Sequence, residues 1–83
     1  MQIEIKLFAS LAQYLPDDAV RNVASINVTE GATTASVLAD HGVPPEHCHL
    51  VLVNGVYLGP GERKVQVLHD GDTLAIWPPV AGG

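Results

Sequence analysis

The chain ends in two adjacent glycines, Gly82 and Gly83, which have no turn to form and follow the sequence IWPPVA. The Pro78-Pro79 pair before them cannot donate to a sheet and favours an extended backbone, so the last strand should end near Trp77. A slim tail that ends on residues without side chains is suited to enter a narrow channel with the α-carboxylate of Gly83 leading. An idle terminus is the alternative interpretation.

A carboxylate at the end of such a tail needs chemical activation before it can react. With a pKa of about 3.5 it is ionised at neutral pH, and in that form it resists nucleophiles. ATP-dependent adenylation by a partner enzyme would supply a leaving group. A terminal glycine would crowd neither the attacking group nor the wall of that enzyme.

Other residues could also do chemistry, in particular the segment His47-Cys48-His49. Imidazole and thiolate are the usual zinc ligands, but in an extended segment the two histidines would share a face while Cys48 points away. We therefore expect no bound metal, two surface histidines, and a structural cysteine rather than a nucleophile or a sulfur-bearing group. The sequence Asp70-Gly71-Asp72 offers too few oxygen ligands for calcium and is interpreted as a turn.

The first half of the chain contains the elements that would carry this tail. Residues 2–8 alternate between apolar and polar types, which predicts a half-buried strand, and residues 10–15 have helical spacing over one short turn. A second strand is predicted at 23–29. A helix should then run from Thr33 or Thr34 to His41, and Gly42 follows where a left-handed C-terminal cap is expected.

The second half reads as a series of short strands. A strand is predicted at 49–53, and Asn54-Gly55 is the dipeptide best suited to a tight hairpin turn into residues 56–58. Residues 64–68 are predicted to be extended. The last strand is predicted at 73–77, after the Asp70-Gly71 turn.

The predicted order of elements is two strands, one helix and then three or four further strands. This is the order of an α+β fold, the β-grasp or ubiquitin-like domain. In that fold the first and last strands lie parallel in the middle of a mixed sheet. We expect a β-grasp domain over residues 1–77 with one main helix, and an extended, flexible C-terminal tail over residues 78–83.

The last strand also predicts a docking surface. If its alternate residues face the helix, Ala75 and Trp77 face outward, and Val51 and Val53 or their neighbours add apolar atoms to that side. A carrier must dock on its partners, so an exposed apolar patch beside the tail is expected. The alternative is that Trp77 folds over an edge of the core.

The C-terminal stretch DGDTLAIWPPVAGG resembles the C-terminus of the MoaD/ThiS family of sulfur carriers, and its PPVAGG ending is most similar to the small subunit of molybdopterin synthase. The resemblance implies that an E1-like enzyme of the MoeB/ThiF type, which uses ATP, adenylates Gly83. The glycine would then become a thiocarboxylate with sulfur from a sulfur donor protein. The residues implied to occupy the partners' channels are Pro78, Pro79, Val80, Ala81 and Gly82.

By the same resemblance, the sulfur passes to a MoaE-like large subunit of molybdopterin synthase and builds the dithiolene of molybdopterin from a cyclic pyranopterin precursor. The chain would be a non-catalytic subunit without a bound cofactor. Sulfur carriage in thiamine, cysteine or tungsten-cofactor pathways is the alternative within the family. A ubiquitin-like modifier joined through Gly83 to lysines of target proteins, or an inert interaction domain, are alternatives from other classes.

Composition excludes several further classes of function. The 83 residues carry four Lys and Arg against nine Asp and Glu, a formal charge of −5, and the basic residues form no cluster. Nucleic acids and anionic membranes bind clustered positive charge, so neither is expected as a partner. The start MQIEIKLF is charged, unlike a signal peptide, and Cys48 is the one cysteine. These features predict a cytoplasmic protein.

Overall fold

Alternating apolar and polar residues at the start of the chain form the first strand, β1 (Gln2–Leu7), in a computed structural model that describes residues 1–80. Ile3, Ile5 and Leu7 are buried on one side of this strand. The other strands are β2 (Val23–Asn27), β3 (Leu50–Val53), β4 (Val56–Tyr57) and β5 (Thr73–Trp77).

The five strands form one mixed sheet in the order β2-β1-β5-β3-β4. The two central strands, β1 and β5, are parallel, with Ile5 opposite Leu74, and the other neighbours are antiparallel. Val51 of β3 lies opposite Ile76 of β5, which continues the row of apolar residues on the same face. The predicted mixed sheet, with its first and last strands parallel at the centre, is confirmed.

The helix α1 (Thr34–Asp40) packs on this face and is capped at both ends. At its start, the side chain of Thr33 accepts a hydrogen bond from the Ser36 N–H at 3.2 Å, and the Ser36 hydroxyl accepts one from the Thr33 N–H at 2.9 Å. At its end, Gly42 has φ +75°, and the N–H of Val43 reaches back to the Leu38 carbonyl at 2.9 Å. The predicted cap residues therefore bound a helix of two turns, too short to be stable without packing.

The core lies between α1 and the sheet. Its best-buried side chains come from β1, β3, β5, the helix and the loops: Ile5, Leu7, Leu11, Leu68, Leu74, Ile76, Val37 and Val51. Each aliphatic side chain so buried contributes about 1.5–3 kcal/mol relative to exposure. Within residues 1–80, no helix is long and apolar enough to cross a membrane.

Three short 3-10 turns, at Ala9–Tyr14, Pro45–His47 and Glu62–Lys64, complete the structure. The first confirms the helical turn predicted near residues 10–15. The last corrects the prediction that 64–68 is extended, because only Val67 makes a single bridge to the chain at Thr33. Val65 and Val67 are both exposed, so neither side chain packs into the core, and the segment does not form a strand.

Candidate functional site

The end of β5 is the point from which the tail leaves the sheet, and it is held from both sides. The carbonyl of Trp77 accepts a hydrogen bond from the His49 N–H at 2.9 Å, and the carbonyl of Ile76 accepts one from the Phe8 N–H at 3.2 Å. Beyond Trp77 the strand stops, as the two prolines predict, and exposure rises to 74% at Val80. The base of the tail is therefore anchored where the chain becomes accessible.

The predictions for Ala81, Gly82 and Gly83 lie outside the described residues. The division into a domain over 1–77 and a tail over 78–83 likewise remains a prediction. Within the described part, Pro78 is half-buried and Pro79 is exposed.

An apolar patch covers the sheet face that points away from α1, beside the base of the tail. We call it the outer-face patch, and it consists of Phe8, Leu50, Leu52, Tyr57, Ala75 and Trp77. Its members come together through strand register, because Leu50 lies opposite Trp77 and Leu52 opposite Ala75. The same face is polar on β1, where Glu4 and Lys6 project. The outer face is therefore apolar over β5, β3 and β4, next to the point where the tail leaves β5.

Trp77 is the largest member of the patch. Its ring stacks on Phe8 with a centroid distance of 4.4 Å and an interplanar angle of 9°. Both rings are half-buried and lie outside the cluster of core residues. This position is the outward one that the sequence predicted, and it does not match the alternative in which Trp77 closes an edge of the core.

Ala75 also lies on the outer face, but it is only 8% exposed. It sits between Lys6 of β1 and Leu52 of β3, whose longer side chains flank it. Ala75 can therefore form the floor of the patch and cannot project from it. Its part in docking remains a prediction.

The sequence predicted Ala75 and Trp77, left open whether Val51 and Val53 or their neighbours join them, and did not predict Phe8 or Tyr57. Val51 and Val53 are buried in the core, and it is their neighbours Leu50 and Leu52 that point outward. Phe8 follows directly after β1, and its contact with Trp77 depends on the parallel pairing of β1 with β5. Strand alternation could have identified Leu50 and Leu52 once the register was known, whereas the partner of Phe8 required the fold.

The Asp70-Gly71-Asp72 segment is a structural turn. A carboxylate oxygen of Asp70 accepts the Gln2 N–H at 2.8 Å, and Asp72 accepts the His69 N–H at 2.8 Å and the Asn54 side-chain amide at 2.9 Å. Partial burial alone would raise the pKa of Asp72. The hydrogen bonds from His69 and Asn54, together with the charge of His69, outweigh burial, so the pKa of Asp72 lies below its ordinary value. Asp70 therefore links this turn to the start of β1, and Asp72 links it to Asn54 in the turn between β3 and β4.

Cys48 is 7% exposed, and its Sγ lies 3.6 Å from the carbonyl oxygen of Pro44. Burial raises the pKa of the Cys48 thiol, with Glu46 adding to the effect and the charge of Arg63 opposing it. A thiol with a raised pKa is a poor nucleophile at neutral pH. His47 and His49 are exposed on either side, and within residues 1–80 no three His, Cys, Asp or Glu residues are grouped to hold a metal.

Several solved structures share this fold. The solution structure of the Haloferax volcanii HVO 2177 protein is 28% identical, with a TM-score of 0.72 over 100% of this chain and 87% of the other. The crystal structure of H. volcanii small archaeal modifier protein 1 is also 28% identical, with a TM-score of 0.64 over 95% and 98% of the two chains.

A third similar structure is the complex of subunits 1 and 2 of molybdopterin-converting factor from Helicobacter pylori, at 20% identity and a TM-score of 0.58 over 100% of both chains. The comparison with curated proteins finds no significant match. The structural similarities establish the ubiquitin-like β-grasp fold that the order of elements predicted. A model of the ThiS family matches residues 5–83, nearly the whole chain, and the protein therefore belongs to the ThiS family.

Proposed function

We propose that this protein is a sulfur carrier whose reactive group is the C-terminal carboxylate of Gly83. In the first step a carboxylate oxygen attacks the α-phosphorus of ATP on an E1-like enzyme of the MoeB/ThiF type, and pyrophosphate leaves. A hydrosulfide ion supplied by a sulfur donor protein then attacks the carbonyl carbon, and AMP leaves. The thiocarboxylate that results carries sulfur to an acceptor.

The observation that carries this proposal is the match to the ThiS family, because it extends through Gly83. Two features of the described residues support it. The base of the tail is anchored by hydrogen bonds to the carbonyls of Ile76 and Trp77, one from each neighbouring segment, while Val80 is exposed. The outer-face patch begins at the same residue, so a partner that binds the patch would have the tail directed into it.

We propose molybdopterin formation as the pathway, with a MoaE-like large subunit as the acceptor of sulfur. The PPVAGG ending supports this assignment. The H. pylori molybdopterin-converting factor supports the partner, since its subunits 1 and 2 form a complex and one chain of that complex shares this fold. Co-expression with a large subunit from the same organism tests it, because the proposal requires a complex that the outer-face variant Trp77→Ala weakens.

A ubiquitin-like modifier is the second candidate function. The similarity to H. volcanii small archaeal modifier protein 1, at 28% identity over 95% of this chain, favours it. Both functions begin with the same activation of Gly83. They differ in the nucleophile that takes over the activated carbonyl, which is sulfur in a carrier and a lysine amine of another protein in a modifier.

Intact-mass measurement of the protein purified from its own cells separates the two. A carrier gains the mass difference between one sulfur and one oxygen atom, whereas a modifier appears in high-mass conjugates. The matched control is the same chain without Gly83, which should show neither. Conjugates without any sulfur-bearing form would reject the carrier and favour the modifier.

A further inference from the structure

A groove of about 520 Å³ lies on the helix side of the sheet, away from the outer-face patch. It runs between α1 and the 3-10 turns Pro45–His47 and Glu62–Lys64. Most of its lining is apolar and includes Ala35, Leu38, Ala39, Val43 and Pro60. This volume falls in the range of about 300–1,000 Å³ that small-molecule sites occupy, and such sites combine an apolar wall with a few polar groups.

Hydrogen bonds hold one wall of the groove in place. The guanidinium of Arg63 donates to the carbonyls of Leu58 at 3.1 Å, Cys48 at 3.0 Å and His49 at 3.4 Å. These bonds join the loop that carries Glu62–Lys64 to the chain just before β3. A wall held in this way is formed before any ligand arrives, which lowers the entropic cost of binding.

The charges of the lining differ from those of the whole protein. Among the described residues that line the groove, Arg63 and Lys64 are cations and Glu46 is the one carboxylate, so this part of the lining carries +1. The chain as a whole carries −5 and has only four Lys and Arg. Because burial raises the pKa of Cys48, its thiol adds no negative charge to the groove at neutral pH. An anion is therefore repelled less here than elsewhere on this acidic surface.

We propose that this groove binds a small organic anion, an apolar ring or short chain that carries one carboxylate. The apolar part lies against Leu38, Val43 and their neighbours, and the carboxylate pairs with the exposed ammonium of Lys64. Arg63 contributes positive charge, but three of its N–H groups already serve backbone carbonyls. The described lining includes none of residues 77–80, and the proposal does not depend on the proposed carrier function.

The test uses two probes with the same ring and opposite charge, naphthalene-1-acetate and 1-naphthylmethylammonium, added to the full chain labelled with nitrogen-15. The anion should shift the amide signals of Leu38, Val43 and Lys64. It should also bind at least about fivefold more tightly than the cation, the factor supplied by one contact between unit charges about 4 Å apart in water.

Variants assign the effect to named side chains. Lys64→Gln should weaken binding of naphthalene-1-acetate about fivefold, and Glu46→Gln should strengthen it. Lys6→Gln is the matched control, because it changes the net charge equally on the opposite face of the sheet. Ala39→Leu places a larger side chain on an exposed helix position that lines the groove, and it should abolish binding of both probes.

Three results would overturn the proposal. They are equal affinities for the two probes, equal effects of Lys64→Gln and Lys6→Gln, and shifts confined to Leu52 and Tyr57 in the outer-face patch. Unchanged amide signals of Leu38, Val43 and Lys64 with both naphthalene probes would also reject it.

Discussion

Replacing Trp77 with alanine tests whether the outer-face patch is a docking surface. The change removes the largest side chain of the patch and its stacking contact with Phe8, whose ring centroid lies 4.4 Å away. A stacked aromatic pair contributes about 0.5–1.5 kcal/mol beyond the area it buries. Because Trp77 lies outside the core cluster, we expect a stability loss on the order of 1 kcal/mol, a fall in Tm of roughly 4–8 °C.

Partner binding should change more than stability does. Truncating an aromatic anchor at the centre of an interface typically costs about 2 kcal/mol or more of binding free energy. A loss of 2 kcal/mol raises Kd about 30-fold. The assay is isothermal titration calorimetry of the protein with the E1-like enzyme proposed to activate it, at a temperature well below the Tm of the variant.

Val20→Ala is the matched control, since Val20 is 70% exposed beside β2, at the opposite edge of the sheet from β3 and β4. It also removes an exposed apolar side chain, but outside the patch, and should leave Kd unchanged. Trp77→Phe keeps an aromatic ring beside Phe8 and should fall between Trp77→Ala and the unchanged protein. An unchanged Kd combined with a sharp fall in Tm would refute the docking interpretation and assign Trp77 to the core.

Three further substitutions test other parts of the structure. Cys48→Ser should leave sulfur transfer to the acceptor largely intact, because Cys48 is buried with a raised pKa, and loss of transfer in a folded variant would show that the chemistry was misplaced. Asp72→Asn should lower the free energy of unfolding at pH 7 by about 2 kcal/mol, because it weakens two hydrogen bonds to a charged acceptor. Because the pKa of Asp72 is lowered, its contribution to stability is present above the ordinary value of 3.8 and is lost as the pH falls through the lower folded value. In urea unfolding the difference between the two proteins should therefore shrink below pH 3.8, and a constant difference would contradict this. The buried Thr34 hydroxyl has no hydrogen-bond partner among the described residues, so Thr34→Val should raise the free energy of unfolding by about 1 kcal/mol. The Tm should then rise by roughly 4–8 °C, and a lower Tm would show that the hydroxyl has a partner.

Features determined by neighbouring residues were predictable from the sequence. Thr33 and Gly42 bound the helix because the hydrogen bonds at each end join backbone groups only a few residues away, after Thr33 and before Gly42. Asn54 and Gly55 both adopt positive φ, as a tight hairpin turn requires. The strand Thr73–Trp77 has the predicted bounds because a turn precedes it and two prolines follow it.

Features determined by distant residues were not predictable in this way. Leu50 and Leu52 face outward because β3 pairs with β5 in one register, and a shift of one residue would exchange them with Val51 and Val53. Residues 64–68 alternate like a strand, but within residues 1–80 they pair with no strand and make one bridge, between Val67 and Thr33.

The groove also depends on contacts between distant residues. It exists because Arg63 reaches carbonyls about fifteen residues earlier in the chain, at Cys48 and His49. A periodic pattern contains no information about such contacts.

The most direct test of activation at Gly83, the step on which the proposed function depends, is ATP–pyrophosphate exchange by the E1-like enzyme with chains of different tail length. The proteins compared are the full chain, the chain without Gly83, and the chain with one alanine after Gly83. Removing or adding a residue moves the carboxylate by about 3.5 Å, and displacements of about 1 Å can cost roughly 100-fold in positioned chemistry. A chain terminus makes few contacts, so the Tm should be nearly the same for all three.

If Gly83 is the residue activated, the full chain supports exchange and both altered tails nearly abolish it. Gly82→Ala should exchange more slowly than the full chain, because its added Cβ must fit a narrow channel. Normal exchange by the extended protein, with mass spectrometry showing that the added alanine is still attached, would contradict activation at Gly83.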